Sequence, residues 1–234
     1  MANELDSVAR YAMLLGFAVR NRTVLVEGTT DADLFHLAAR LERDAGEPDL
    51  LGTDLAVVPA GLRDQGGTPG VRRELVNLRA VARTCLLPNG RPQYRFIGLV
   101  DNDKAGKQAV KDLHNFDNSI LEYKDVFRIW PVMPLPNNLD PGTLQKTFEN
   151  QNACFKGLEW ELEDALAQDF IEAFESECPE AVAHKRSIEG KIHRDFTCDG
   201  KARLHRFVKL NAMRRDLAGV VHILKAIRFY FGLK

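Results

Sequence analysis

The sequence predicts an α/β fold: a four-stranded, mostly parallel sheet followed by a helical C-terminal extension. Three observations carry that expectation. Short apolar runs alternate with segments of helical periodicity, the pattern of strands joined by crossover helices. Two of the runs, Thr23–Val26 and Phe96–Val100, finish in carboxylates and are each followed by a turn. After Pro136 the alternation stops and only helical patterns remain.

The elements follow in order. An amphipathic helix is expected over about residues 5–20, with Val8, Tyr11, Ala12, Leu15 and Val19 on one side. Thr23–Val26 is the first strand and closes on Glu27. Either Thr29 or Thr30 can cap the next helix, whose first turn holds Asp31 and Asp33, where carboxylates suit the helix dipole. Leu34, Leu37, Ala38 and Leu41 form its apolar stripe. Leu55–Val58 is the second strand, and the glycine-rich stretch from Gly61 through Gly70 is expected as a loop. Val71 to Ala82 is helical, Tyr94–Val100 the third strand, and Gly106–His114 a helix bearing Ala109, Val110 and Leu113. Val126–Trp130 is the fourth strand, stopped by Pro131, Pro134 and Pro136. Helices are expected over roughly 158–176, 200–212 and 216–231. No internal repeat appears.

The chemistry gathers at the strand ends. In open parallel sheets the carboxyl ends of the strands hold the site. Glu27, Asp101 and Asp103 brought to one edge repel one another unless they share protons or a cation. Asp101 and Asp103 lie two residues apart, so an extended backbone points both the same way and Asn102 the other. The plainer alternative is a polar turn, for which Asp-Asn-Asp is well suited. Oxygen-only donors without His or Cys suit Mg²⁺ or Mn²⁺ and point to phosphoryl transfer.

Val24-Leu25-Val26-Glu27-Gly28-Thr29-Thr30-Asp31 together with Leu99-Val100-Asp101-Asn102-Asp103-Lys104-Ala105-Gly106 resembles the TOPRIM domain. That domain occurs in primases, type IA and II topoisomerases, maturase-type ribonucleases and OLD-family nucleases. The resemblance covers roughly residues 20 to 135. It implies a Rossmann-like core over 1–136, with residues 137–234 as a helical extension packed on it. It also implies a Mg²⁺-dependent nuclease in which Glu27, Asp101 and Asp103 are catalytic and bind metal. The family reads the Glu as general acid/base or as ligand, depending on the branch. Asp31, four residues after the Glu, resembles the OLD or maturase branch and either ligates an ion with Glu27 or stabilises the helix N-terminus. Leu162-Glu163-Asp164-Ala165-Leu166 resembles the OLD-type motif that completes the metal site through its Glu, with Glu159 and Glu161 crowding the alignment. Asp199-Gly200-Lys201-Ala202 resembles the place of the OLD catalytic lysine, where a cation offsets charge on the phosphate in the transition state.

Composition narrows the partners. The 234 residues, 45% hydrophobic, suffice for one domain with an extension. The net charge of −1 hides an asymmetry: residues 139–183 hold 11 acidic and 2 basic side chains, residues 184–234 hold 4 acidic and 13 basic. The basic segment, with Arg203 and Arg206, is either a polyanion footprint for DNA or RNA or a surface that pairs with the acidic segment. Four scattered cysteines without a CxxC, acidic residues ahead of the first apolar run and no run of roughly 18 apolar residues predict a cytoplasmic chain without a membrane span. His205 is expected to pack or to face solvent. There is no G-x-x-x-x-G-K-[ST] and hence no ATPase of its own. The chain is short for a topoisomerase or primase. Two readings survive: a nuclease cutting DNA or RNA with one or two Mg²⁺ or Mn²⁺ ions, or a regulatory nucleic-acid-binding subunit partnering a separately encoded ATPase. A haloacid-dehalogenase-type phosphatase also uses an Asp pair, but residues 101–105 depart from its pattern.

Overall fold

The computed structural model describes residues 6–61 and 65–233. Leu5 of the expected first helix and residues 62–64 of the expected loop lie outside them. A four-stranded, all-parallel sheet runs β2-β1-β3-β4, built from β1 (Arg22–Val26), β2 (Leu55–Pro59), β3 (Arg95–Val100) and β4 (Val126–Arg128). The chain passes from β1 to β2 through α2 (Thr29–Asp44) and then reverses. It reaches β3 through α3 (Gly67–Ala82) and β4 through α4 (Lys104–Phe116). That reversal makes the crevice between β1 and β3 the topological switch point, where open parallel sheets carry their ligands.

Successive side chains of a strand face opposite sides, and the core divides accordingly. Val24, Val26, Ile97, Leu99 and Phe127 pack on the α2 side, while Leu25, Val58, Phe96, Val100 and Val126 pack on the α3 and α4 side. Gly98 in β3 lets α3 approach the sheet, since a Cβ there would sit 2.9 Å from Val71 Cγ1. The N-terminal helix α1 (Ser7–Leu14) is shorter than expected because Gly16, at φ +80°, ends it. Conversely α3 begins at Gly67, inside the expected loop.

The extension departs most from expectation. It is not purely helical. It holds α5 (Pro141–Gln151), α6 (Gln168–Glu177), α7 (Cys198–Asn211) and α8 (Ala218–Tyr230), plus an antiparallel hairpin of β5 (Val182–Ile188) and β6 (Lys191–Phe196). The hairpin turns on Glu189-Gly190, both at positive φ (+48° and +75°), the backbone that two-residue hairpin loops require. Polar side chains along β5 left no alternation to read. The single helix expected over 158–176 is instead a 3₁₀ turn at Leu162–Ala165 followed by α6. Leu158, Trp160 and Leu162 are buried at every second position, so that stretch runs extended before the turn.

The extension shares the core of the sheet. Leu144, Phe148, Leu158, Phe174, Ile227 and Tyr230 belong to the same buried cluster as Val24, Ile97 and Phe127. The Tyr230 ring stacks on Phe127 at 4.6 Å between centroids, and its hydroxyl donates to the Pro134 carbonyl at 2.7 Å. Among the described residues, no helix is long and apolar enough to cross a membrane.

Candidate metal centre

Glu27 and Asp101 leave adjacent strands at the same edge of the sheet. β1 and β3 pair in parallel with Leu25 opposite Gly98, so the residues that follow run side by side. The Asp101 backbone N–H donates to Glu27 Oε1 at 3.1 Å. The turn after Asp101 is tight: a Cβ on Gly106 would sit 1.9 Å from the Asp101 carbonyl oxygen, so only glycine fits there.

Asn102, 3% exposed, ties the extension to this edge. Its backbone N–H donates to the Trp160 carbonyl at 2.8 Å, and its side-chain oxygen accepts from Arg128 Nη1 at 2.7 Å. The Leu162 N–H completes the clamp, donating to Asp101 Oδ1 at 3.0 Å. Residues 160–163 are thereby laid against the end of β3. Trp160 and Leu162 turn inward, and Glu161 and Glu163 turn toward Asp101. One oxygen from each of Asp101, Glu161 and Glu163 lies within 4.8 Å of the other two. These three carboxylates could hold a cation.

Lys201 closes the cluster from α7. Thr197 caps that helix by accepting from the Gly200 N–H at 2.9 Å. Lys201 then reaches to 2.8 Å from Glu161 Oε2 and 3.6 Å from Glu163 Oε1. Asp31 sits in the first turn of α2, where its Oδ2 accepts from the Gly28 N–H at 2.9 Å. Gly28, rather than Thr29 or Thr30, is the capping residue. Asp103 caps α4, its Oδ1 accepting from the Gly106 N–H at 2.6 Å. It lies outside the three-carboxylate group while still opposing the ionisation of Glu27.

The electrostatics are strained. Burial raises Asp101 well above the ordinary carboxylate range, and Glu163, Glu27 and Asp31 add to it. Burial also pushes Glu27 up to about 7, with Asp31 and Asp103 contributing. Asp31 rises to about 6 through burial and then through Glu163. Burial opposes the charge on Lys201, but Glu163 and Glu161 outweigh it and hold the ammonium firmly protonated. One lysine cannot neutralise this many acids. Without a further cation, the site keeps protons that free carboxylates would have lost. The donor set is all oxygen, which fits Mg²⁺ or Mn²⁺ better than a thiophilic metal.

Behind the cluster stands a second set of buried charges. Asp164 accepts from the Glu161 N–H at 2.9 Å, from His193 Nδ1 at 2.7 Å and from the Arg194 N–H at 3.1 Å. Arg194, 1% exposed, donates to Glu175 Oε1 at 2.9 Å and Gln168 Oε1 at 3.2 Å. This network fastens the 3₁₀ turn to α6 and β6, and so fixes where Glu163 can point.

Glu161 is the site residue that sequence reasoning passed over. Its signal was the alternation Trp160-Glu161-Leu162-Glu163, which puts both acids on one side of an extended segment. Of the two arginines expected to meet nucleic acid, Arg203 pairs with Glu180 and with Asp199 Oδ2 (2.7 Å), and Arg206 is exposed on α7. His205 is half-buried, 3.6 Å from Asp33 Oδ2. It borders a cavity of about 210 Å³ between α2 and α7 that opens beside Asp31, Glu163 and Lys201. Neither a protein-family model, nor a curated protein, nor a solved structure matches the chain.

Proposed function

We propose that the chain is a Mg²⁺- or Mn²⁺-dependent nuclease of the TOPRIM type, hydrolysing phosphodiester bonds in DNA or RNA. The observation that carries this reading is the convergence of Asp101, Glu161 and Glu163 within 4.8 Å, under Lys201 and beside Glu27, at the switch point of a parallel sheet. Asp101, Glu161 and Glu163 would hold the ion, with Glu27 and Asp31 next in reach. A divalent ion bound there lowers the pKa of water and stabilises negative charge on a phosphate. Lys201, held protonated by its two glutamates, supplies a fixed positive charge where the phosphate accumulates negative charge. Glu27, at the edge of the cluster, takes or delivers a proton or adds a ligand oxygen.

Plasmid, single-stranded DNA and structured RNA incubated with Mg²⁺ or Mn²⁺ test the reading. Cleavage of at least one substrate is expected. Glu27→Gln should lower turnover about a hundredfold or more, the scale of a lost acid–base or electrostatic contribution, while affinity holds or rises. Lys201→Ala should slow turnover with only slight loss of affinity. Tight binding without cleavage under either metal would replace this reading with that of a regulatory subunit for a separately encoded ATPase.

A further inference from the structure

The opposite end of the same sheet carries the opposite charge. A cavity of about 430 Å³ opens where the strands begin, lined by Arg22, Arg79, Arg83, Arg91, Arg95 and Lys124. Arg22 starts β1 and Arg95 starts β3, and the two are register partners on adjacent strands. Among the described residues the one carboxylate lining the cavity is Asp125, and Arg79 already pairs with it. Arg83 reaches Asp117 at 3.7 Å from the rim. Among the described residues, Arg22, Arg91 and Lys124 have no carboxylate partner. Arg95 spends its donors on the carbonyls of Tyr230 (2.9 Å) and Lys124 (3.1 Å).

A further feature bears on what such a lining can hold. The cavity also has an aromatic wall, with Tyr94 and Phe96 stacked at 6.2 Å. The Tyr94 hydroxyl is occupied by Asp6 Oδ2 at 2.6 Å, so only its ring remains to offer. Several cations around a concave space call for clustered anionic oxygens, and guanidinium groups suit phosphate above all.

We infer that this cavity binds a small ligand bearing two or more linked phosphates, either a free polyphosphate or the phosphate tail of a nucleotide. The site lies at the far edge of the sheet from the carboxylate cluster and shares no residue with it. Its occupant is therefore distinct from a substrate at that cluster, and the inference stands or falls apart from the proposed nuclease activity.

Calorimetric titration in EDTA tests it, since chelation keeps divalent ions from bridging phosphate to the carboxylates. Inorganic triphosphate should bind and raise the melting temperature. Arg22→Gln and Arg91→Gln should each weaken it about tenfold or more, the loss expected for a hydrogen bond to a charged group. Both variants should melt without ligand as the wild type does or slightly higher, because like charges have been thinned. Tighter binding of a nucleoside triphosphate than of inorganic triphosphate would identify the nucleotide form, and equal binding the free polyphosphate. Absence of triphosphate binding, or unchanged binding by both variants, would overturn the inference. So would a single-stranded oligonucleotide that binds more tightly than triphosphate and is lost in the same variants, because the groove would then be a nucleic-acid contact.

Discussion

Glu163 and Asp164 are neighbours in one 3₁₀ turn, yet they enter opposite kinds of environment. Asp164 is met on every side: two backbone N–H groups and a histidine that its contact pushes toward the protonated form. Glu163 faces Asp101 and Glu161, with Lys201 at 3.6 Å as its cation. Asp164 is buried, whereas Glu163 is only half-buried and borders the cleft. One has its hydrogen bonds filled from within the protein, and the other stands in a group of acids that a cation could bridge. A buried charge network complete in itself is structural, whereas one left incomplete where a cleft opens is poised for a ligand.

The largest expected effect lies on the satisfied side. Asp164→Ala should lower unfolding stability by about 3–5 kcal/mol in urea titrations, since it strands a buried imidazolium and two N–H groups. A loss under about 1 kcal/mol would mean that water replaces the carboxylate and the contrast with Glu163 is false. The cluster should behave the other way. Asp101→Asn combined with Glu163→Gln should leave the metal-free protein as stable or more stable at pH 8, because like charge is removed from the group of acids. The same pair of changes should abolish the rise in melting temperature that Mg²⁺ or Mn²⁺ gives the wild type. A persisting rise would put the ion elsewhere.

pH separates the two regions with smaller but distinct signatures. Glu27 at about 7 and Asp31 at about 6 lie above their unfolded values, so the folded state binds protons more tightly than the unfolded one. Their contribution is full below the unfolded values near 4 and is lost as pH rises to about 7. Saturating Mg²⁺ should flatten that decline. For His193, burial opposes the charge, but Asp164 and Asp195 outweigh it and carry the group up to about 9. Its contribution is complete below about 6.5 and disappears as pH climbs through 9. Mg²⁺ should leave that second decline unchanged. A melting profile whose two limbs respond alike to the metal would show that the networks are one.

The strand end at Glu27 and the strand end at Asp101 were legible because a parallel sheet buries its strands on both faces. Such strands read as apolar runs, and the first carboxylate after each marks the edge. Asp103 shows what spacing does not encode: a helix starts there, and one oxygen of the side chain caps its unsatisfied N–H groups. Glu161 and Glu163 were harder, because their position depends on Asn102 and the Leu162 N–H, contacts some sixty residues distant in the chain. No local period encodes such contacts. The hairpin of β5 and β6 escaped for the opposite reason: most of β5 is exposed, so burial imprinted no alternation on it.

The stacking of Tyr230 on Phe127 carries a consequence for how the protein is made. During synthesis β4 leaves the ribosome long before α8 exists. Until then Phe127 and its neighbours on that face of the sheet lack the helix that covers them. The sheet can begin to pair, but it cannot finish burying itself, and a nascent chain in this condition is sticky. A ribosome-bound intermediate ending after β4 should therefore recruit chaperones and be cut readily by protease, becoming resistant once α8 has emerged.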